Sequence, residues 1–153
     1  MSFARHDAAD LERFLIAIDD GLETHEVLVV IGGAALALGY GVAATTSDID
    51  THASRLDGIE AAAQRARKTT ALQIPIGNSG VAQLPPGYET RLERVLPHLA
   101  HLDVWVLDAH DLAASKLLRG NEHDRQQLVQ LHDSVYVMRW RRRGGIRLAR
   151  RRT

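Results

Sequence analysis

Asp48 and Asp50, separated by one isoleucine, are the residues of this chain best suited to chemistry. Side chains alternate along a strand, so both carboxylates would share one face while Ile49 points to the other, into the core. Such a face suits Mg²⁺ (or Mn²⁺), which binds through one or two carboxylates plus substrate phosphates. A place for the phosphates lies upstream, where Val30-Ile31 runs into Gly32-Gly33 and then Ala34-Ala35-Leu36-Ala37-Leu38. A run rich in Val and Ile over 27–31, two glycines and a stretch of good helix formers predict a strand, a tight turn and a helix. The N–H groups at that helix start are unpaired and lie at the positive end of its dipole, and glycine leaves no Cβ to keep an anion away. Each half alone has an ordinary reading, Gly-Gly as turn chemistry and Asp-Ile-Asp as a solvated strand end.

The elements that must position these residues form a small α/β (α+β) body, a mixed sheet with flanking helices. Residues 7–24 carry Leu11, Phe14, Leu15, Ile18 and Leu22 at helical spacing. The strand 27–31 follows, then a helix from Gly33 to about Gly39, with Gly39 and Gly41 ending it, and a strand over 48–52. Asp57 is expected to cap a helix running to about Lys68, and 72–76 reads as a short strand. Gly77-Asn78-Ser79-Gly80 and Leu84-Pro85-Pro86-Gly87 predict a surface loop over 77–88. Residues 92–96 and 102–107 then read as strands around Pro97. Asp108 caps the next helix, which covers 111–118.

A hydrophobic residue, Gly-Gly, a short helix and then Asp-x-Asp on the next strand resemble the signature of the DNA polymerase β-like nucleotidyltransferases. Asp111-Leu112-Ala113-Ala114-Ser115-Lys116-Leu117 and His123-Asp124-Arg125 are similar to later motifs of the abortive-infection (AbiEii-like) branch, which includes toxins of toxin–antitoxin pairs. The resemblance implies a minimal nucleotidyltransferase fold that moves an NMP from an NTP to a hydroxyl of RNA or protein, with an antitoxin protein as a partner. It implies that Asp48 and Asp50 hold the metal and that Gly32, Gly33, Thr46 and Lys116 bind the nucleotide, with Asp124 and Arg125 in support. A third acid on a neighbouring strand completes active members, and Asp103, at the start of the run Leu102-Asp103-Val104-Trp105-Val106-Leu107, is its candidate; the alternative for Asp103 is a turn residue. Many relatives carry a basic residue just before the Asp pair, where this chain has Thr45-Thr46-Ser47. Affinity for the triphosphate is therefore expected to be lower or to be supplied elsewhere. Two other classes stay open: a catalytically silent binding or regulatory module on the same fold, and a plain α/β interaction protein.

Composition sets bounds. The 153 residues, 45% hydrophobic and 25% charged, suit one domain with a real core. No cysteine is present, which excludes disulfides and thiolate metal sites. The absence of a secretory signal or long apolar span predicts a cytoplasmic protein with no membrane role. The zero net charge conceals a division: residues 1–138 hold 11 basic and 19 acidic residues, and 139–153 hold eight arginines and no acid. We therefore expect a nucleotidyltransferase-like domain over 1–138 and a flexible Arg-rich tail over 139–153. The tail, with Trp140, is suited to RNA phosphates and stacking, or to a solvated run folded back on the acidic body.

Overall fold

The computed structural model describes residues 4–42, 45–80, 84–119 and 122–142, the side chains of 118, 119, 122–124 and 136–142 excepted. Helix α1 (Ala8–Gly21) starts at Asp7, whose carboxylate accepts the Asp10 N–H at 2.9 Å. It ends sooner than expected, because Leu22 keeps its buried place in an extended C-cap rather than in another helical turn. Strand β1 (Glu26–Ile31) leads into α2 (Gly32–Tyr40), then β2 (Ile49–Thr51) and α3 (Asp57–Thr70). Gly39 lies inside α2, and the helix stops only at Gly41, which adopts φ +60°. Asp57 is the first residue of α3 rather than its cap: Leu56 holds that position, and Asp57 contributes first-turn charge against Arg67 and Lys68 in the last turn.

Strand β3 (Ile76–Asn78) falls later than the expected 72–76. Pro75 has no N–H to give to a ladder, so it serves only as an acceptor, taking the Ile49 N–H at 2.9 Å, and regular pairing begins after it. A 3₁₀ turn (Tyr88–Thr90), β4 (Glu93–Val95), β5 (Leu102–Val106), α4 (Ala109–Arg119) and α5 (Glu122–Arg142) complete the order. Asp108 caps α4 by accepting the His110 N–H at 3.1 Å. Helix α5 passes through Met138 to Arg142, and the rest of the Arg-rich tail lies outside the described residues.

The five strands form one mixed sheet in the order β3-β2-β1-β5-β4. Strand β1 runs parallel to β5 and antiparallel to β2. The inner face of the sheet carries Leu28, Val30, Ile49, Thr51, Leu102, Val104 and Val106, all fully buried. The apolar stripes of α1 (Leu11, Phe14, Leu15, Ile18) and α3 (Ile59, Ala62, Ala63, Ala66) join them in one core. The outer face presents Val27, Val29, Asp50, Asp103 and Trp105, half-buried or exposed. Helices α4 and α5 pack on each other, and α5 also touches α2.

Two polar clamps fix the ends of this framework. Buried Asp19, near the end of α1, accepts the N–H groups of Ala100, His101 and Leu102 at 3.2, 2.7 and 2.9 Å, fixing the start of β5. Arg91 grips Asp111 on α4 through two bonds of 2.9 and 3.0 Å.

Candidate nucleotide and metal site

Strands β1 and β2 bring the glycine turn and the second carboxylate together. Asp50 stands directly opposite Ile31 in the antiparallel pair, one residue before the turn. Gly32 has φ +66°, a left-handed conformation that an L side chain enters at a cost of about 1–2 kcal/mol. A Cβ there would come 3.5 Å from Asp50 Oδ2, so the carboxylate lies against the bare backbone that starts α2. A Cβ on Gly33 would meet Thr46 Oγ1 at 3.3 Å. The Thr46 hydroxyl reaches the Asp48 carbonyl at 3.1 Å and its Oδ1 at 3.4 Å. Gly32, Gly33, Thr46, Asp48 and Asp50 therefore occupy one neighbourhood, with both aspartates half-buried and Ile49 fully buried behind them.

A segment far away in sequence holds this corner. His6 and Thr46 form an isolated antiparallel bridge, with N–H to carbonyl bonds of 2.8 and 2.9 Å. Arg5 donates to the Thr45 hydroxyl at 3.0 Å and also to the Thr45 carbonyl, which brings a guanidinium to the stretch just before Asp48. Sequence reasoning missed this arm, and no local signal announces a pairing forty residues apart. Beyond Asp50, the Asn78 side chain clamps the turn after β2: it accepts from the Thr51 hydroxyl at 2.8 Å and the Ser54 N–H at 3.0 Å, and donates to the Ser54 carbonyl at 2.9 Å. Ser54 Oγ in turn accepts the Val29 N–H at 3.0 Å.

The structure does not bring Asp103 to this corner. Its side chain shares the outer face with Asp50, but register sets Asp103 beside Val27 and Asp50 beside Ile31, a separation of about 13 Å along the strands alone. Asp103 instead pairs with His25 at 2.9 Å and with Arg94. Lys116 is buried and donates to Gln127 on α5. Arg125 is exposed, and the Asp124 side chain lies outside the described residues.

Among the described residues no three His, Cys, Asp or Glu side chains cluster as a preformed metal cage. The half-buried Asp50 carboxylate beside a bare helix start, with half-buried Asp48 two residues before it, nevertheless fits the way Mg²⁺ is held, where phosphate and water oxygens complete the shell. Residues 9–138 match a family described as nucleotidyltransferases of unknown function (DUF6036). The chain belongs to this nucleotidyltransferase family. No curated protein and no solved structure matches it. No described helix of this family member is long and apolar enough to cross a membrane.

Proposed function

We propose that this nucleotidyltransferase moves an NMP from an NTP to a hydroxyl group on RNA or protein, using Mg²⁺ or Mn²⁺. The contact between the Gly32 turn and the Asp50 carboxylate carries this reading, because it joins a phosphate cradle to a metal ligand in one corner. The acceptor oxygen bonds to the α-phosphorus, the bond from that phosphorus to the β-bridging oxygen breaks, pyrophosphate leaves, and the hydroxyl proton passes to the medium. A divalent ion, when bound, neutralises charge on the phosphates and lowers the cost of the attack. Asp48 and Asp50 would hold it, and Thr46 orients Asp48 through its hydroxyl. The Gly32 and Gly33 amides would take the outer phosphates. Arg5, seated on Thr45, offers the positive charge that Thr45-Thr46-Ser47 does not; Lys116, which the resemblance adds to the nucleotide set, is buried against Gln127. In the abortive-infection reading the chain is a toxin, and its partner is an antitoxin protein.

One observation favours a second reading, a catalytically silent binding module: Asp103 is engaged with His25 and Arg94 rather than with the Asp pair. Incubation with each α-labelled NTP, Mg²⁺, and total RNA or cell protein decides between the two. We expect label in one acceptor pool, lowered by about a hundredfold or more in Asp48→Asn and Asp50→Asn, as the several kcal/mol supplied by a metal predict. Melting temperatures should hold or rise, because each change relieves repulsion between like charges. Nucleotide binding without any transfer would establish the silent module.

A further inference from the structure

Sheet register places a row of ring-bearing side chains one pleat from Asp50. Trp105 pairs with Val29 across β1 and β5, and Arg94 pairs with Trp105 across β5 and β4. The Arg94 guanidinium lies over the Trp105 ring, 5.8 Å from its centre. On the other side of Val29, His52 follows β2 and donates its N–H to the Val29 carbonyl at 2.9 Å. Its ring meets that of Tyr88 edge-on, with centres 5.4 Å apart. Val29, Trp105 and Arg94 share the outer face by register, and none of these side chains, His52 and Tyr88 included, is fully buried.

The row thus has an aliphatic floor, Val29, between two walls: His52 with Tyr88, and Trp105 with Arg94. The walls rise from strand positions about 10 Å apart, and Asp50 lies two residues, or about 7 Å, further along β2 on the same face. We propose that this row is a nucleobase subsite, in which a planar base lies over Val29 against Trp105 and His52 while its sugar spans the pleat to the Asp50 corner. A base suits it because flat rings stack on aromatic and guanidinium planes without regard to sequence. The bearer is either the incoming NTP or the terminal nucleotide of an RNA acceptor. This inference rests on the reading of Gly32, Asp48 and Asp50 as the triphosphate site.

Trp105 is itself the probe, since the chain has only two tryptophans and Trp140→Phe leaves it alone. The full chain with that change is titrated, in Mg²⁺, with the four NTPs, a short single-stranded RNA and inorganic tripolyphosphate, following indole fluorescence and, separately, binding by calorimetry. Saturable quenching by NTPs with none by tripolyphosphate places the NTP base in the row; quenching by RNA alone places the acceptor base there. In either case Trp105→Leu should weaken that ligand about tenfold or more, as expected for one stacked base, while Trp105→Phe retains most of the affinity and tripolyphosphate binding is unchanged. Tripolyphosphate and NTPs binding equally, with no quenching by any base, would overturn the subsite and leave the triphosphate site standing. Failure of both to bind would overturn the two together.

Discussion

Asp19 shows how one carboxylate can serve folding rather than chemistry. Burial raises its pKa, but the three amide N–H groups from 100–102 and the nearby His101 outweigh burial and leave it below the ordinary aspartate value. A group whose folded-state pKa is depressed contributes stability above the unfolded value, near 3.9, and loses it as pH falls through the folded value. Asp19→Ala should therefore cost about 3 kcal/mol near neutral pH, since it leaves buried donors without a charged acceptor. In urea titrations the gap between the two proteins should narrow as pH falls below the ordinary aspartate range; a gap that stays constant with pH would show that the charge is irrelevant. The sequence does not single out Asp19: its place in the last turn, where an acid opposes the dipole, appears only because the helix ends at Gly21, short of the expected Thr24. Alternation predicts Asp48 and Asp50 on one side of Ile49; the strand starts only at Ile49, so Asp48 stands in the bend before it and strand alternation speaks for Asp50 alone. Asp103 also obeys alternation, which does give it the outer face. Its level along the sheet depends on how β5 registers against β1, and no local pattern encodes that register.

At the scale of elements, α2 is closely packed against the sheet. It crosses the end of the sheet with its bare N-terminus at Asp50, and near its other end the Tyr40 hydroxyl donates to the Leu107 carbonyl at 2.7 Å. Gly39 permits this crossing: a Cβ there would lie 2.8 Å from Cγ2 of the fully buried Val106. Helix propensity favours alanine over glycine by up to about 1 kcal/mol, but overpacking costs about 1–3 kcal/mol, so Gly39→Ala should lower stability on balance. Adding Val106→Ala opens space beside residue 39, and a double-mutant cycle in denaturant should show favourable coupling between the two changes. Simple additivity would mean that α2 shifts freely and that the close approach has no consequence. Amphipathic α1 can be read from apolar spacing, whereas the place of α3 rests on Asp57 as its expected cap. The later start of β3 is explained by Pro75, and the His6–Thr46 bridge by partners distant in sequence.

Across the whole molecule, charge is divided between an acidic 1–138 and a +8 run over 139–153. If that run recruits an RNA acceptor, its removal after Met138 should weaken RNA binding and flatten its salt dependence, by roughly one unit of log–log slope for each phosphate no longer neutralised. NTP binding at Gly32, Asp48 and Asp50 should be nearly intact. Equal RNA affinity with and without the run, across a salt series, would leave it dispensable. Another division separates the two faces of the sheet. The inner-face residues Leu28, Val30, Ile49, Thr51, Leu102, Val104 and Val106 of the three central strands are fully buried, whereas Val27 on the outer face is 43% exposed. Large-to-small changes on the inner face cost several kcal/mol, while substitutions on an open surface usually fall within about 0.5 kcal/mol. The residues that would touch a base or an acceptor are thus largely uncoupled from those that keep the chain folded. A lineage built on this sheet could exchange one acceptor for another through successive outer-face substitutions, each nearly neutral for folding, and never pass through an unstable ancestor.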